Sequence, residues 1–463
     1  MGRWTVLALT TTVSVALVAV VIGGAQRAPW LMQRLQSGPF AALGLSAGAP
    51  ASPASPTAPF AAVKSPAWST TDKTLTQLQD GLKTKPEDAG TYAQLGSLYM
   101  QKAREMGDPT YYAKAEGAVK KSLELAPDNV LATVVMGGLH MARHDFEAAL
   151  TWGEKARDLA PRGYVIYGII GDANIELGRY EAAIDAFQTM VDLRPDLVSL
   201  SRVSYARELH GDLLGAIESM QQAVDAGSPR SEATNWSRIQ LANLYFLTGD
   251  LKSAEQQYAM TLHLLPNYVH GLAGQARLEA AKGNLKGAVR QYEQIVQTQP
   301  LPEYVAALAD AYLATGNTAA AAKQVELMRV IAQLQRASGV DVDLDMALFE
   351  VDHAPDAKTL ETAMAAARSH YERRPSVHAA DVLGWALYRA NRPAEALPYA
   401  RESLKLGSKD PVVLYHAGAI AAAAGQDTEA RGYLEEALAK NDAFHVRYAP
   451  EAKKLLAQLG SAR

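Results

Sequence analysis

Two groups of side chains have spacings that could bind a metal ion, and the first is a histidine pair. His140 and His144 stand four residues apart, which places both imidazoles on one face of a helix. A zinc protease also needs a glutamate and a third ligand in that pattern, and neither follows here. We therefore interpret both histidines as residues that pack a helix and close its turn.

The second group is acidic. Asp341, Asp343 and Asp345 alternate as in a calcium-binding loop, and Asp352 stands at the twelfth place. Met346 occupies the position at which such a loop needs glycine, and a helical pattern continues beyond it. A solvated helix start is therefore the favoured interpretation, and we predict no metal site.

Residues for covalent or redox chemistry are not arranged in any recognisable site. The chain has no cysteine, which excludes disulfides, cysteine-ligated zinc, iron–sulfur clusters and thiol catalysis. Serine, aspartate and histidine residues are scattered, without a nucleophile elbow or a phosphate loop. Once the tether and repeats described below are assigned, no stretch of about 100 residues remains for a catalytic domain. We predict that the protein is not an enzyme and binds no cofactor.

The charge distribution bears on nucleic-acid binding. The formal net charge is -4, and no run of basic residues is longer than two. Because nucleic-acid affinity depends on clustered lysine and arginine, the sequence predicts no nucleic-acid partner.

The N-terminus resembles a targeting segment. Residues 4–25 are apolar, small or hydroxylated, and a run of that length can span a bilayer. Gly23, Gly24 and Ala25 also provide the small residues that a signal peptidase needs. Residues 1–25 are thus either a cleaved signal peptide or an uncleaved membrane anchor.

Residues 26–70 are rich in Pro, Ala and Ser, which predicts an extended linker. We expect export, with the chain membrane-anchored or periplasmic and touching the membrane only through its N-terminal segment.

The rest of the chain repeats. Prolines follow helical stretches at Pro86, Pro127, Pro161, Pro195, Pro229, Pro266, Pro300, Pro375 and Pro411. Their separations are 41, 34, 34, 34, 37, 34, 75 and 36 residues. The two long separations exceed one and two periods by seven residues each, which indicates insertions near residues 107–113 and 328–345. A period of about 34 residues is that of tetratricopeptide repeats.

Small residues recur at fixed places in each unit. One unit has Met136, Gly137, Ala149, Ala156 and Pro161, and the next has Tyr167, Ile170, Gly171, Gly178, Ala183, Phe187 and Pro195. The small residue of the second helix returns at Ala115, Ala216, Ala254, Ala288, Ala321, Ala363, Ala396 and Ala430, and turn glycines return at Gly211, Gly249, Gly283, Gly316 and Gly425. On these residues the chain resembles the tetratricopeptide repeat family of bacterial envelope type.

The resemblance implies an all-α fold: a right-handed α-solenoid of about ten helix-turn-helix repeats over residues 71–442. Helices at about 72–84 and 450–459 would cap its ends, the second within a C-terminal segment 443–463. Two units are degenerate, since the one at 343–375 lacks the small residue of its first helix and Pro398 interrupts the second helix of the next.

The resemblance also implies a concave groove lined by the first helix of each repeat. Projecting the groove positions of the family onto this sequence gives Met100, Gln101, Met141, Asp172, Glu176, Tyr205, Glu208, Trp236, Asn243, Phe246 and Arg277. Tyr205, Trp236 and Phe246 are candidate anchors for a ligand; the alternative is that they pack between repeats. The lysine and asparagine that clamp a chaperone carboxylate in some members are replaced by Ala93 and Ser97.

Two functions remain open. The first is a non-catalytic scaffold that binds a peptide or a partner protein in the groove. The alternative is a structural or assembly component of a cell-envelope complex that uses its outer face or its caps. An open groove on a monomer favours the first, and oligomers that cover the groove favour the second.

Overall fold

The computed structural model describes residues 66–461, which form 22 α-helices and no strand. The predicted signal or anchor and residues 26–65 of the predicted linker lie outside these described residues. A leading helix, α1 (Pro66–Thr84), begins within the last residues of the predicted linker, where a proline is tolerated in a first helical turn. Within residues 66–461 none of the helices combines the length and apolarity that crossing a membrane requires.

Ten antiparallel helical hairpins follow, and a trailing helix α22 (Tyr448–Ser461) closes the series. Hairpins 1 to 5 are α2 (Ala89–Met106) with α3 (Tyr111–Leu125), α4 (Val130–Ala142) with α5 (Phe146–Leu159), α6 (Tyr164–Glu176) with α7 (Tyr180–Leu193), α8 (Leu197–Leu209) with α9 (Leu213–Ala226), and α10 (Glu232–Leu247) with α11 (Leu251–Leu264). Hairpins 6 to 10 are α12 (Val269–Ala281) with α13 (Leu285–Thr298), α14 (Pro302–Ala314) with α15 (Thr318–Ala337), α16 (Asp343–His353) with α17 (Ala357–Arg373), α18 (Val377–Arg389) with α19 (Pro393–Ser403), and α20 (Pro411–Ala423) with α21 (Asp427–Lys440). The predicted all-α solenoid is confirmed.

Close contact between the two helices of a hairpin explains the small residues. Ala115, Ala149 and Ala183 are completely buried at the start of their second helices, and the corresponding alanines of the other hairpins are at most 5% exposed. In hairpin 3 a Cβ added to Gly171 would lie 2.2 Å from Cε1 of Phe187. A larger side chain at either place would therefore force the helices apart.

The turn inside nine of the ten hairpins contains a left-handed residue; hairpin 8 is the exception. All six predicted turn glycines have a positive φ, for example 75° at Gly178 and 86° at Gly283. Glycine accepts this conformation at no steric cost, and it ends the first helix. His144 and Asn391 adopt the same conformation in hairpins 2 and 9, with φ of 60° and 58°. The position of His144 agrees with its interpretation as a residue that closes a turn.

The predicted insertions lengthen two helices. Helix α2 has 18 residues and α15 has 20, whereas the regular helices have 13 or 14. The two degenerate repeats are irregular as well. Helix α16 has 11 residues, and α19, which contains Pro398, also has 11.

Successive turns of the superhelix contact each other along a seam that the repeat pattern did not predict. The backbone N–H of Asp341 donates to the carbonyl of Arg143 at 2.9 Å, and that of Val377 donates to Tyr180 Oη at 2.7 Å. Asn441 Nδ2 donates to the carbonyl of Phe246 at 2.6 Å. The first two contacts join the turn of one hairpin to the segment that precedes the sixth hairpin after it. The third joins the turn of hairpin 5 to the segment that precedes the trailing helix α22. We call the concave side of the superhelix its inner face.

Candidate functional site

Three adjoining concavities lie on the inner face of hairpins 4 to 7, and we call them the inner concavities. Arg277 lines all three, Asn243 lines the first two, and Phe246 lines the first and third. Because they share these residues, the three concavities are immediate neighbours.

A hydrogen-bonded group centred on Asn243 forms the shared wall. Its Oδ1 accepts from Arg277 Nη2 and from Tyr258 Oη, both at 2.6 Å. The guanidinium of Arg277 also lies 4.0 Å from the centre of the Phe246 ring, a cation–π contact. Tyr258 comes from a second helix and was not among the predicted groove residues. These contacts fix the positions of Arg277 and Asn243 before any ligand arrives.

The first concavity contains an unpaired acid beside an unpartnered donor. Glu208, half-buried at the end of α8, has no cationic partner among the described side chains, and burial together with the Asp410 carboxylate raises its pKa to about 8. Gln240 is 6% exposed, and its amide Nε2 has no acceptor within the described chain. A polar ligand can provide both missing partners: a cation for the Glu208 carboxylate and a hydrogen-bond acceptor for the Gln240 amide.

The second concavity repeats this arrangement. Glu303, near the start of α14, is half-buried, and burial raises its pKa to about 7, with a smaller contribution from Asp345. Trp236 is 3% exposed, and its indole Nε1 has no acceptor among the described residues. His270 lies edge-on to the indole, with ring centres 4.7 Å apart, and burial lowers its pKa to about 3, so it is neutral.

The segment 441–447 closes the inner face from the following turn. Phe444 of this segment lines the first and third concavities. Arg447 Nη1 donates to Asp310 Oδ1 at 2.7 Å, and His445 Nε2 lies 3.2 Å from Asp310 Oδ2. Although burial acts in the opposite direction, the hydrogen bonds from His353 and His445 hold the pKa of Asp310 well below its usual range. The inner face thus already binds one arginine and one histidine of a segment of its own chain.

The remaining predicted groove residues lie in earlier hairpins. Met100 and Met141 are at most 1% exposed and belong to the core, while Gln101 donates to Glu105 at 2.8 Å. Asp172 is 3% exposed and accepts two hydrogen bonds from Arg202, the shorter at 2.6 Å. Glu176 is 6% exposed with one carboxylate oxygen unpartnered, and burial raises its pKa to about 7. The structure therefore separates these five residues from the inner concavities, which six others line: Tyr205, Glu208, Trp236, Asn243, Phe246 and Arg277.

The three candidate aromatic anchors pack among other residues. Tyr205, Trp236 and Phe246 are 2%, 3% and 4% exposed. Tyr205 Oη lies 3.2 Å from His378 Nε2 across the seam. Their rings form walls of the concavities, so they contribute to the protein core and to the site at the same time.

The candidate metal-binding residues point to separate partners. Nδ1 of His140 lies 2.9 Å from Asp145 Oδ2, whereas Nδ1 of His144 lies 2.7 Å from the carbonyl of Asp341. Asp352 accepts from Trp385 Nε1 at 2.8 Å. Among the described residues no group of three metal-ligating side chains comes together.

Sequence reasoning missed Gln240, Glu303, Asp310 and the segment 441–447. Glu303 and Asp310 occupy groove positions of hairpin 7, so extending the same projection by one repeat identifies them. Gln240 lies outside the projected positions, and segment 441–447 reaches the site only through the seam, so neither has a signal in the repeat pattern.

Comparisons with known proteins bear on the family. A model described as tetratricopeptide repeat matches residues 274–332 and 382–445, and a second model with that description matches residues 164–197. A search of curated proteins found no match. Similar solved structures include the Cut9–Hcn1 hetero-tetramer of APC/C, with 14% identity, coverage of 85% of this chain and 82% of that chain, and a TM-score of 0.36. Yeast Tom70 has 13% identity, coverage of 85% and 96%, and a TM-score of 0.36.

The matched residues lie on five of the ten hairpins. Residues 164–197 cover hairpin 3, and the other two matches cover most of hairpins 6, 7, 9 and 10. Neither description is that of an enzyme family. The chain therefore contains tetratricopeptide repeats, as its 34-residue period predicted.

Proposed function

We propose that the protein is a non-catalytic scaffold that binds an extended segment of a partner protein in the inner concavities. One observation carries this proposal: the concavities keep polar groups buried without partners, on walls that are otherwise fixed by hydrogen bonds and ring contacts. An unsatisfied buried polar group costs about 1 to 3 kcal/mol. A bound segment can form hydrogen bonds to these groups through its backbone carbonyls and polar side chains. It then removes that cost, which favours binding.

Photo-crosslinking tests this proposal in the cells that produce the protein. A small diazirine-bearing amino acid replaces Gln240, whose side chain lines the first concavity, and in a control it replaces Leu214, which is 81% exposed on α9. We expect adducts with a partner from position 240 and none from position 214. Adducts from position 214 alone would contradict binding in the concavities.

The alternative of an assembly component has its own observation. Val330 and Leu334 stand one turn apart on the lengthened helix α15 and are 51% and 61% exposed. Apolar neighbours on a surface favour contact with another protein. If the protein assembles through this face, Leu334→Lys lowers the sedimentation coefficient at high concentration, and no adducts form from position 240 in the cellular assay. A monomer at every concentration excludes self-assembly.

We also propose that the protein is exported, since residues 4–25 are long and apolar enough to be a signal or an anchor. Cell fractionation with a C-terminal tag tests this, and a full-length chain in the soluble cytoplasm would contradict it. N-terminal sequencing then distinguishes the alternatives. A mature chain that starts near Gln26 indicates cleavage, and an intact Met1 in the membrane fraction indicates an anchor.

A further inference from the structure

The inner concavities also carry information about the charge of their ligand. Four charged residues line the first two concavities. Three are acidic, namely Glu208, Asp410 and Glu303, and one is basic, namely Arg277. Arg277 donates to Asn243 and Tyr258 and forms no ion pair with either glutamate within the described chain. Two carboxylates are therefore left facing the space without a counter-charge.

Three other acids of the first helices, which contribute to the packing of the chain, each form an ion pair with a basic side chain. Asp172 has Arg202 at 2.6 Å, Asp310 has Arg447 at 2.7 Å, and Asp352 has Arg389 at 3.4 Å. Each of these acids receives a basic side chain from another helix or from segment 441–447. Glu208 and Glu303 receive none and line the first two concavities, whereas Glu176, which also has an unpartnered oxygen, lines none of the three. Burying a carboxylate without a cation costs free energy, so the lack of a basic partner at Glu208 and Glu303 indicates that a ligand provides the cation.

The donors that accompany the two glutamates complete the pattern. Trp236 Nε1 lies in the concavity of Glu303, and Gln240 Nε2 lies in that of Glu208, both buried without an acceptor. A donor of this kind suits a backbone carbonyl, whereas an unpaired carboxylate suits an ammonium or guanidinium group. The same pair of requirements occurs in two neighbouring concavities, and an extended peptide with cationic side chains meets both.

We propose that the segment bound in the inner concavities is basic, and that one of its lysine or arginine side chains pairs with Glu303 and another with Glu208. Trp236 and Gln240 donate to its backbone carbonyls. This inference rests on the proposed scaffold function and adds the chemistry of the partner. Segment 441–447 provides an internal example, because its Arg447 and His445 already bind the acid Asp310 on the same face.

Selection of peptides from a displayed library of random dodecapeptides tests the proposal. The bait is the full-length protein in mild detergent, which accommodates the apolar N-terminal residues. We expect the selected peptides to be enriched in lysine and arginine. Replacing one such lysine by norleucine, or Glu303 by Gln in the protein, should weaken binding on the order of tenfold or more. Glu181→Gln, which changes an exposed carboxylate on α7, is the matched control and should change affinity by less than about twofold.

The variants also distinguish a binding role from a structural one. Glu303→Gln preserves shape and removes an unpaired buried charge, so the melting temperature should not fall. Peptides that crosslink from position 240 but are neutral or acidic, or whose binding is unchanged in Glu303→Gln and Glu208→Gln, would overturn the basic ligand and leave the scaffold function standing. Absence of any crosslink from position 240, with selected peptides or in cells, would instead overturn the scaffold function itself.

Discussion

Asp172 and Glu303 lie on the inner face of hairpins 3 and 7, and their carboxylates have opposite surroundings. Asp172 is buried against the guanidinium of Arg202, which is 1% exposed. Glu303 lines a concavity together with Arg277, but the two form no ion pair within the described chain, because Arg277 donates to Asn243 and Tyr258. The comparison shows that Arg202 neutralises the acid against which it packs, whereas the carboxylate that lines a concavity has no such partner; Glu176 of hairpin 3 is also buried with one oxygen unpartnered, but it lines none of the three concavities. We call hairpin 3 the packed region, and we call the walls of the inner concavities in hairpins 4 to 7 the receptive region.

The largest expected effect tests the packed region. Asp172→Ala leaves the guanidinium of Arg202 buried without its partner, which should cost about 3 to 5 kcal/mol of unfolding free energy. Urea unfolding followed by circular dichroism measures it. The double variant Asp172→Ala with Arg202→Met removes both charges and should recover most of the loss. A single variant as stable as the wild type would mean that the ion pair does not hold hairpins 3 and 4 together.

Phe246→Ala tests whether the walls of the receptive region are core. Phe246 is 4% exposed, packs with Ala242, Ala254 and Tyr258, and lies beneath the guanidinium of Arg277. Removing the ring should cost about 3 to 5 kcal/mol. A thermal melt that is unchanged, together with weaker binding of a selected peptide, would mean that Phe246 is a ligand anchor and that this wall is not needed for folding.

Gly171→Leu tests how closely the packed region fits together. The added side chain meets Phe187, whose Cε1 would lie 2.2 Å from the new Cβ, so the variant should lose about 1 to 3 kcal/mol. The control is Gly117→Leu, because a Cβ at Gly117 of α3 has no neighbour within 4 Å. That variant should be neutral or slightly more stable, since leucine favours helix more than glycine does. Equal effects of the two changes would show that hairpin 3 is loosely packed.

The sequence predicted the fold well because the repeat is encoded locally. Small residues such as Ala149 and Gly171 fix how closely two neighbouring helices approach, and turn glycines fix where the first helix ends. Contacts between consecutive hairpins are then determined within one period of about 34 residues. Helix number, hairpin order and both end helices follow from that period alone.

The site was only partly predictable, because it depends on the pitch of the superhelix. A small rotation at each hairpin accumulates until the turns of one coil meet those of the next, and no local motif records the sum. Asn441 reaches the carbonyl of Phe246, and Phe444 reaches the concavities, through this accumulated geometry. The projection identified Glu208 and Trp236, but the pairing of Asp310 depends on Arg447, which is 137 residues away in the sequence.

The smallest expected effect is a pH dependence whose sign distinguishes an unpaired acid of the receptive region from a paired one. Burial and the Asp410 carboxylate raise the pKa of Glu208 to about 8, above the range of an unfolded chain near 4.3. Between these pKa values the folded protein binds more protons than the unfolded chain, so the contribution of Glu208 to stability is lost as pH rises from about 5 to 8. Asp310 behaves oppositely: its pKa is held low, so its contribution is present at neutral pH and is lost on acidification.

Glu208→Gln isolates the first of these contributions. The amide cannot ionise, so the variant should be more stable than the wild type by about 1 to 2 kcal/mol at pH 9 and nearly equal to it at pH 5. Urea unfolding at the two pH values measures the difference. Glu181→Gln, on the exposed face of α7, should show no such divergence. If Glu208→Gln instead destabilises the protein at pH 9, a cation within the chain already neutralises this carboxylate, and hairpins 4 to 7 do not differ from the packed region in the way described.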